Sequence, residues 1–419
     1  MMNRRPLELY IHIPFCARKC AYCDFLSFAV PERVYQDYMD KLIEEIYGQS
    51  LCFSDWSVTS IFLGGGTPSL LPPRFMEELF AVLHGCFSIE EDAEITIEAN
   101  PGTLTMEKLE VYQESGINRL SLGLQSADDQ ELRVLGRIHT FDDFLKSYQR
   151  ARQAGFSNIS VDLMSALPGQ DVHSWKNTLR KVVMLKPEHI SAYSLIIEEG
   201  TPFYEWYGEV GGPEGGITRR DGKNGGGKED FLTRSVLPGD RRSRRMELPP
   251  LPDEDTDREI YHMTKELLAG QGYERYEISN YARPGYECRH NIGYWTGADY
   301  LGLGLGASSY IGGYRYHNVA DMGEYLSLNM KKAGAAARDI KELSLDEKME
   351  EFMFLGLRMM RGVSGSDFLG RFGRNMWNLY AVTLRRMEGQ GLIEIDTPWV
   401  RLTDRGIDVS NRVLCEFLL

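Results

Sequence analysis

No stretch of this 419-residue chain approaches the ~18–20 consecutive apolar residues that a membrane-spanning helix requires. An integral membrane protein is therefore not expected. The basic start Met1-Met-Asn-Arg-Arg-Pro6 has no hydrophobic segment behind it, and Leu7–Ile13 alternates like a strand, so no signal peptide is expected either. Positive charge is scarce: 47 Lys and Arg stand against 61 Asp and Glu, a formal net charge of −14. Such a chain has no global attraction to phosphate, and no nucleic-acid partner is expected. A disulfide framework is also missing. Of seven cysteines, Cys52, Cys86, Cys288 and Cys415 are scattered with no visible pairing. That is the usage of a reducing compartment, and a cytoplasmic location is expected. There is no C-x-x-C-H sequence for covalent heme attachment. Leu301-Gly-Leu-Gly-Leu-Gly306 lacks the G-x-G-x-x-G spacing and the preceding unit of a dinucleotide site.

The remaining three cysteines sit together. Cys16, Cys20 and Cys23 form a C-x3-C-x2-C spacing inside Tyr10-Ile-His-Ile-Pro-Phe-Cys-Ala-Arg-Lys-Cys-Ala-Tyr-Cys-Asp-Phe25. Soft thiolates suit iron–sulfur clusters, which are usually held by four cysteines. Three can hold three irons of a cubane, leaving the fourth open to another ligand. The competing reading is a zinc ion completed by a residue such as His12, although no second C-x2-C exists to support it.

Hydrophobic content of 42% and charged content of 26% fit a globular enzyme large enough for one catalytic domain and a smaller one. The first half alternates strand and helix. Strands are predicted at 7–12, 58–63, 94–99, 119–124, 158–164 and 189–197, with helices between them. Six such units imply an α/β fold, a partial (β/α)6 barrel over residues 1–208. Barrel active sites lie at the C-terminal ends of the strands. The cysteines, Gly64–Ser69, Glu98 with Asn100, and Gln125 follow strand ends, and Asp162 lies in the fifth strand. Residues 209–252, with Gly225-Gly-Gly227 and Arg241-Arg-Ser-Arg-Arg245, lack periodicity and read as a flexible insertion, with a basic tether for an acidic partner as the alternative. An aromatic and glycine-rich connecting region follows over 253–335. In 336–419, a helix at 376–389, a hairpin at 392–395 and 399–402, and a last helix opened by Thr403 resemble a C-terminal α+β winged-helix-like domain. Its acidic balance favours packing or substrate capping over DNA binding.

The cysteine spacing, with an aromatic before its last member, resembles the radical S-adenosylmethionine superfamily. Gly64-Gly-Gly-Thr-Pro-Ser69, Glu98-Ala-Asn-Pro101, Gly123-Leu-Gln-Ser126 and Leu135-Gly-Arg-Ile-His139 resemble its coproporphyrinogen dehydrogenase-like branch. His290-Asn-Ile-Gly-Tyr-Trp295 resembles that branch's HemW-type heme chaperones. The resemblance covers nearly the whole chain outside the insertion. It implies one [4Fe–4S] cluster on Cys16, Cys20 and Cys23, with S-adenosylmethionine chelating the open iron. One electron from the cluster then cleaves a C–S bond to a 5′-deoxyadenosyl radical, chemistry that belongs to the cofactor. Gly65, Gly66 and Thr67 would receive the methionine amino group, the glycines allowing close approach and presenting N–H groups. Glu98, Gln125 and Asp162 would offer polar contacts to an amine or ribose, Arg137 would pair with the carboxylate, and Tyr10 and Tyr22 would flank the ligand.

The dehydrogenases extend the motif to a fourth cysteine; here Phe25 occupies that place. The chain also starts about ten residues before the loop, without the extension those dehydrogenases carry. Both departures favour the chaperone branch, which implies heme, an acceptor hemoprotein reached at the inner face of a membrane by peripheral contact, and an electron donor such as a flavodoxin or ferredoxin. His290 is the candidate heme ligand, Cys288 a nearby thiolate, and Tyr294 and Trp295 candidate stacking partners. The alternatives are oxygen-independent coproporphyrinogen III oxidation and an unrelated radical reaction.

Overall fold

A computed structural model describes residues 4–208 and 248–419. The expected flexible insertion therefore lies, up to residue 247, outside the described residues. Six strands run parallel: β1 (Arg5–Ile13), β2 (Trp56–Gly65), β3 (Ile89–Ala99), β4 (Arg119–Gln125), β5 (Ile159–Ser165) and β6 (His189–Ser194). Between and after them lie α1 (Arg33–Ser50), α2 (Pro73–Cys86), α3 (Met106–Glu114), α4 (Asp129–Val134), α5 (Phe141–Gln153), α6 (Val172–Met184) and α7 (Pro202–Tyr207). Helix starts follow local chemistry. Thr140 with Asp143 and Asp171 with Ser174 form capping boxes that satisfy the first N–H groups of α5 and α6.

Period-two alternation sets the two faces of the curved sheet. In β1, Leu7, Leu9, Ile11 and Ile13 are fully buried in the core shared with Tyr38, Met39, Leu42 and Ile46 of α1. The intervening Glu8, Tyr10 and His12 turn to the concave side. The same register sends Ser60 and Phe62 of β2, Glu94 and Glu98 of β3, Arg119 and Ser121 of β4, and Ser160 and Asp162 of β5 inward. The concave side is therefore polar, and the convex side carries the hydrophobic core.

The sheet is larger than the six strands expected. It has twelve, in the order β12-β11-β10-β9-β1-β2-β3-β4-β5-β6-β8-β7. Strands β7 (Glu274–Arg275) and β8 (Asn280–Ala282) extend the β6 edge; β9 (Tyr300–Leu303) runs parallel beside β1, and β10 (Ser308–Ile311), β11 (Tyr314–Asn318) and β12 (Ala337–Glu342) continue antiparallel. The stretch expected as a connector thus carries strands β7–β11 of the sheet, along with the helices Glu254–Ala269, Arg289–Thr296 and Met322–Ser327. Its glycines hide the pattern because the packing needs them. A Cβ on Gly302 would stand 2.2 Å from the Ser308 carbonyl oxygen, and one on Gly304 2.5 Å from the Tyr38 hydroxyl.

Toward the C-terminus a second core gathers Met353, Phe368, Met376, Leu384, Val400, Val413 and Phe417. Around it stand short helices and a small antiparallel sheet of β13 (Val363–Ser364), β14 (Ile393–Asp396) and β15 (Trp399–Leu402). The helix expected at 376–389 is broken at Tyr380, whose ring packs edge-on against Phe368 and Phe417.

Candidate functional site

The cysteine loop leaves the C-terminal end of β1 and is fastened at several points. The Cys16 N–H donates to the Phe28 carbonyl at 3.0 Å, and the Ala21 N–H to the Leu135 carbonyl at 3.1 Å. Arg18 donates to the Gly136 carbonyl. His12 holds the loop from beneath. Its Nε2 bonds the Leu26 carbonyl at 2.8 Å, so that nitrogen carries the hydrogen, and its Nδ1 accepts from the Tyr10 hydroxyl at 3.0 Å. Burial lowers the His12 pKa, keeping the ring neutral. Both nitrogens are spent, which removes His12 as a zinc ligand. Tyr22 is a packing anchor, seated against Leu135, Met164, Leu167 and Phe203.

A polar belt joins two of the thiols. Cys16 Sγ lies 3.6 Å from Thr67 Oγ1, which accepts from Asn100 Nδ2 at 2.7 Å. Asn100 Oδ1 accepts from Arg137 Nη2 at 2.6 Å, and Arg137 Nη1 reaches Cys20 Sγ at 3.8 Å. Arg137 also donates to the Gly123 carbonyl at 2.8 Å. Its guanidinium, expected to pair with a ligand carboxylate, is engaged within the protein by these partners. Asn100 is a central member of this belt, and reading residues one motif at a time leaves it unassigned. Burial pushes the Cys23 thiol up to about 11, and coordination to a metal would deprotonate it outright.

The glycine stretch differs from the expectation that it presents N–H groups. Gly66 N donates to the Ile13 carbonyl at 2.9 Å, Thr67 N to the Phe15 carbonyl at 2.7 Å, and Gly65 N to Glu98 Oε2 at 3.1 Å. The N–H groups are consumed, so the backbone offers carbonyl oxygens, which suit an ammonium. The glycines are required by proximity. A Cβ on Gly66 would lie 2.6 Å from the Phe15 carbonyl oxygen, and one on Gly65, at φ +108°, 2.4 Å from the His12 ring.

The floor is acidic. Asp162 accepts from Ser121 Oγ at 2.8 Å and Ser160 Oγ at 3.1 Å, with Ser191 of β6 completing the set. Burial raises its pKa. Glu98 is pushed up to about 8, chiefly by burial and then by the Asp162 charge. Gln125 closes β4 with φ +71°, an uncommon conformation for a non-glycine residue. Its side chain lines the cavity with Tyr10, Tyr22, Glu98, Arg137 and Asp162. That cavity, of about 1070 Å³, also admits Cys16, Cys20, Cys23, Gly65, Gly66 and Thr67 to its wall.

His290 is elsewhere. It lies on the helix Arg289–Thr296, tucked into the concave side below the cavity and 1% exposed. Its Nδ1 pairs with Ser60 Oγ at 2.8 Å, its Nε2 with the Tyr294 hydroxyl at 3.0 Å, and its ring stacks on Phe62. With both nitrogens engaged, the expected ligand role is not met by this geometry; His290 fixes the helix that closes the barrel. Cys288 likewise donates to Glu94 at 3.3 Å and is pushed up to about 12 by burial, so it offers no thiolate. Asn291, Tyr294 and Trp295, from the same motif, do line the cavity.

Three half-buried thiols on one cavity wall, one of them facing a guanidinium, fit a multi-iron cluster. Among the described residues no three His, Cys, Asp or Glu side chains gather tightly enough for a single ion.

Comparison with known proteins matches residues 10–182 to the radical SAM superfamily and residues 343–409 to the HemN C-terminal domain. The chain is 35% identical to the heme chaperone HemW of Bacillus subtilis over 98% of each chain. It is 35% identical to the heme chaperone HemW of Lactococcus lactis, over 100% of this chain and 99% of the relative. The solved structure of coproporphyrinogen III oxidase (HemN) from Escherichia coli superposes with a TM-score of 0.78 at 22% identity, over 99% of this chain and 90% of that one. At that identity it speaks for the fold.

Proposed function

We propose that this chain, which belongs to the HemW family of radical SAM proteins, is a heme chaperone: it binds heme and delivers it to an acceptor hemoprotein. Cys16, Cys20 and Cys23 hold one [4Fe–4S] cluster, and S-adenosylmethionine occupies the adjoining cavity. When bound, the cluster supplies a one-electron reductant to the sulfonium, drawn from a donor such as a flavodoxin or ferredoxin. The chain's own residues orient and neutralise. Carbonyls at 65–67 and the Glu98 carboxyl receive the ammonium, and Gln125 and Asp162 the ribose. Arg137 acts through Cys20 and Asn100 as a positioning residue. The working compartment is the cytoplasm, with peripheral contact where the acceptor lies at a membrane; no helix among the described residues is long and apolar enough to cross one.

The observation that carries this reading is a single cavity walled at once by the three thiols and by aromatic side chains of the C-terminal half. There cluster, sulfonium ligand and a macrocycle would be neighbours. Coproporphyrinogen oxidation shares the fold but lacks a supporting observation in the loop, where Phe25 is 59% exposed in place of a further thiol. The test is one anaerobically reconstituted sample assayed twice. Hemin should bind with a shifted Soret band, and coproporphyrinogen should not be converted. Sustained protoporphyrinogen production without heme binding would overturn the proposal.

A further inference from the structure

The cavity has a second end, away from the thiols. It is bounded by Trp295, Tyr310, Arg315, Lys348, Phe352 and Arg371. These come from the closing helix, from β10 and β11, and from the C-terminal helices, so folding the C-terminal half onto the sheet is what makes this end. The Arg315 guanidinium lies 5.4 Å from the Tyr310 ring centre and pairs with Glu351 at 2.9 Å. Arg371 lies 5.4 Å from the Phe352 ring centre and donates to the Thr296 carbonyl at 2.7 Å.

Two donors at this end are buried without an acceptor among the described residues: the Nε–H of Arg315 and the Nε1–H of Trp295. Folded chains rarely keep such groups unless something else completes them. The missing complement is an acceptor, and the three cations here say that it is anionic. Glu351 offsets one of them, leaving two positive charges in excess. The rings of Tyr310 and Phe352 beside these cations suit an anion attached to a flat apolar body.

We propose that this end seats the carboxylates of heme. The macrocycle lies against Tyr310 and Phe352, its two propionates are received by Arg315, Lys348 and Arg371, and Trp295 donates to one of them. The assignment rests on the heme-chaperone reading and deepens it by fixing the orientation: propionates toward the C-terminal helices, the opposite edge toward the cluster loop. Arginines suit this role because the planar fork meets a carboxylate with two parallel bonds.

The experiment compares hemin with its dimethyl ester, titrated into the full-length reconstituted protein and into the variant carrying Arg315→Gln and Arg371→Gln. The wild-type protein should bind hemin about tenfold or more tighter than the ester, the size expected from charge-assisted hydrogen bonds. The variant should lose that preference by weakening hemin alone. Equal wild-type affinity for acid and ester overturns the assignment without any mutant, as does a variant that keeps the preference. A wild-type protein that binds neither porphyrin sinks the chaperone reading itself; one that binds both alike sinks only the orientation.

Discussion

The charge of the cavity floor rests on Glu98. Its carboxyl is raised from 4.5 to about 8. The folded chain therefore holds a proton that the unfolded chain has released between those values, so this group's favourable share is present below pH 4.5 and is lost as pH rises through about 8. Glu98→Gln removes the titration. The variant should gain in Tm over the wild-type protein as pH increases across that window, and should bind S-adenosylmethionine about tenfold more weakly, since the carboxyl that accepts from the ammonium is replaced by an amide. A Tm difference independent of pH would contradict the assignment. His290 titrates the other way. Burial and the nearby Arg119 lower it to about 3, so its contribution is full above the usual 6.5 and declines as pH falls below that. His290→Ala should cost ~2–4 kcal/mol in denaturant unfolding, through lost buried hydrogen bonds and a cavity, while folded protein keeps the wild-type Soret band. A changed band at full folding would restore the ligand role. Three thiols and a run of glycines announce themselves in a sequence. Ser121, Ser160 and Ser191 do not, because each acts through partners on other strands and only the register brings them together; Asn100 stands in a motif, but its place between Thr67 and Arg137 shows only in the fold.

At the scale of elements, the turn after β2 and the cysteine loop are one unit, pressed together where side chains are absent. Gly66→Ala would force the Phe15 backbone away and with it Cys16. Cluster absorbance after reconstitution should fall while far-ultraviolet circular dichroism is unchanged. Gly85→Ala, in α2 with open space around its Cβ position, is the control; it should retain the cluster and stabilise the fold by up to about 1 kcal/mol. Equal cluster retention in the two would refute the coupling. The six parallel strands and their helices were legible because each carries a strong period of its own. Strands β7–β11 were not, since they are two to five residues long, too short to show a period, and β9 is interrupted by Gly302, which close approach demands. Their pairing is decided by neighbours distant in the chain, β6 on one edge and β1 on the other.

Across the whole molecule, the C-terminal half completes the cavity that the sheet begins. The first half contributes the thiols, Glu98 and Asp162, along with Arg137 and Tyr22; the second adds Tyr310, Phe352, Arg315, Lys348 and Arg371. Neither set alone lines the whole cavity. Composition alone anticipated two such units, but not that the second would supply a wall of the first unit's site. The most direct measurement is heme transfer itself: hemin-loaded, cluster-containing protein mixed anaerobically with an apo-hemoprotein, followed by the acceptor's own Soret band. The account predicts that heme leaves this chain for the acceptor faster than hemin exchanges through buffer, with no porphyrinogen product formed. Transfer no faster than free exchange, from protein whose cluster is intact, would contradict it.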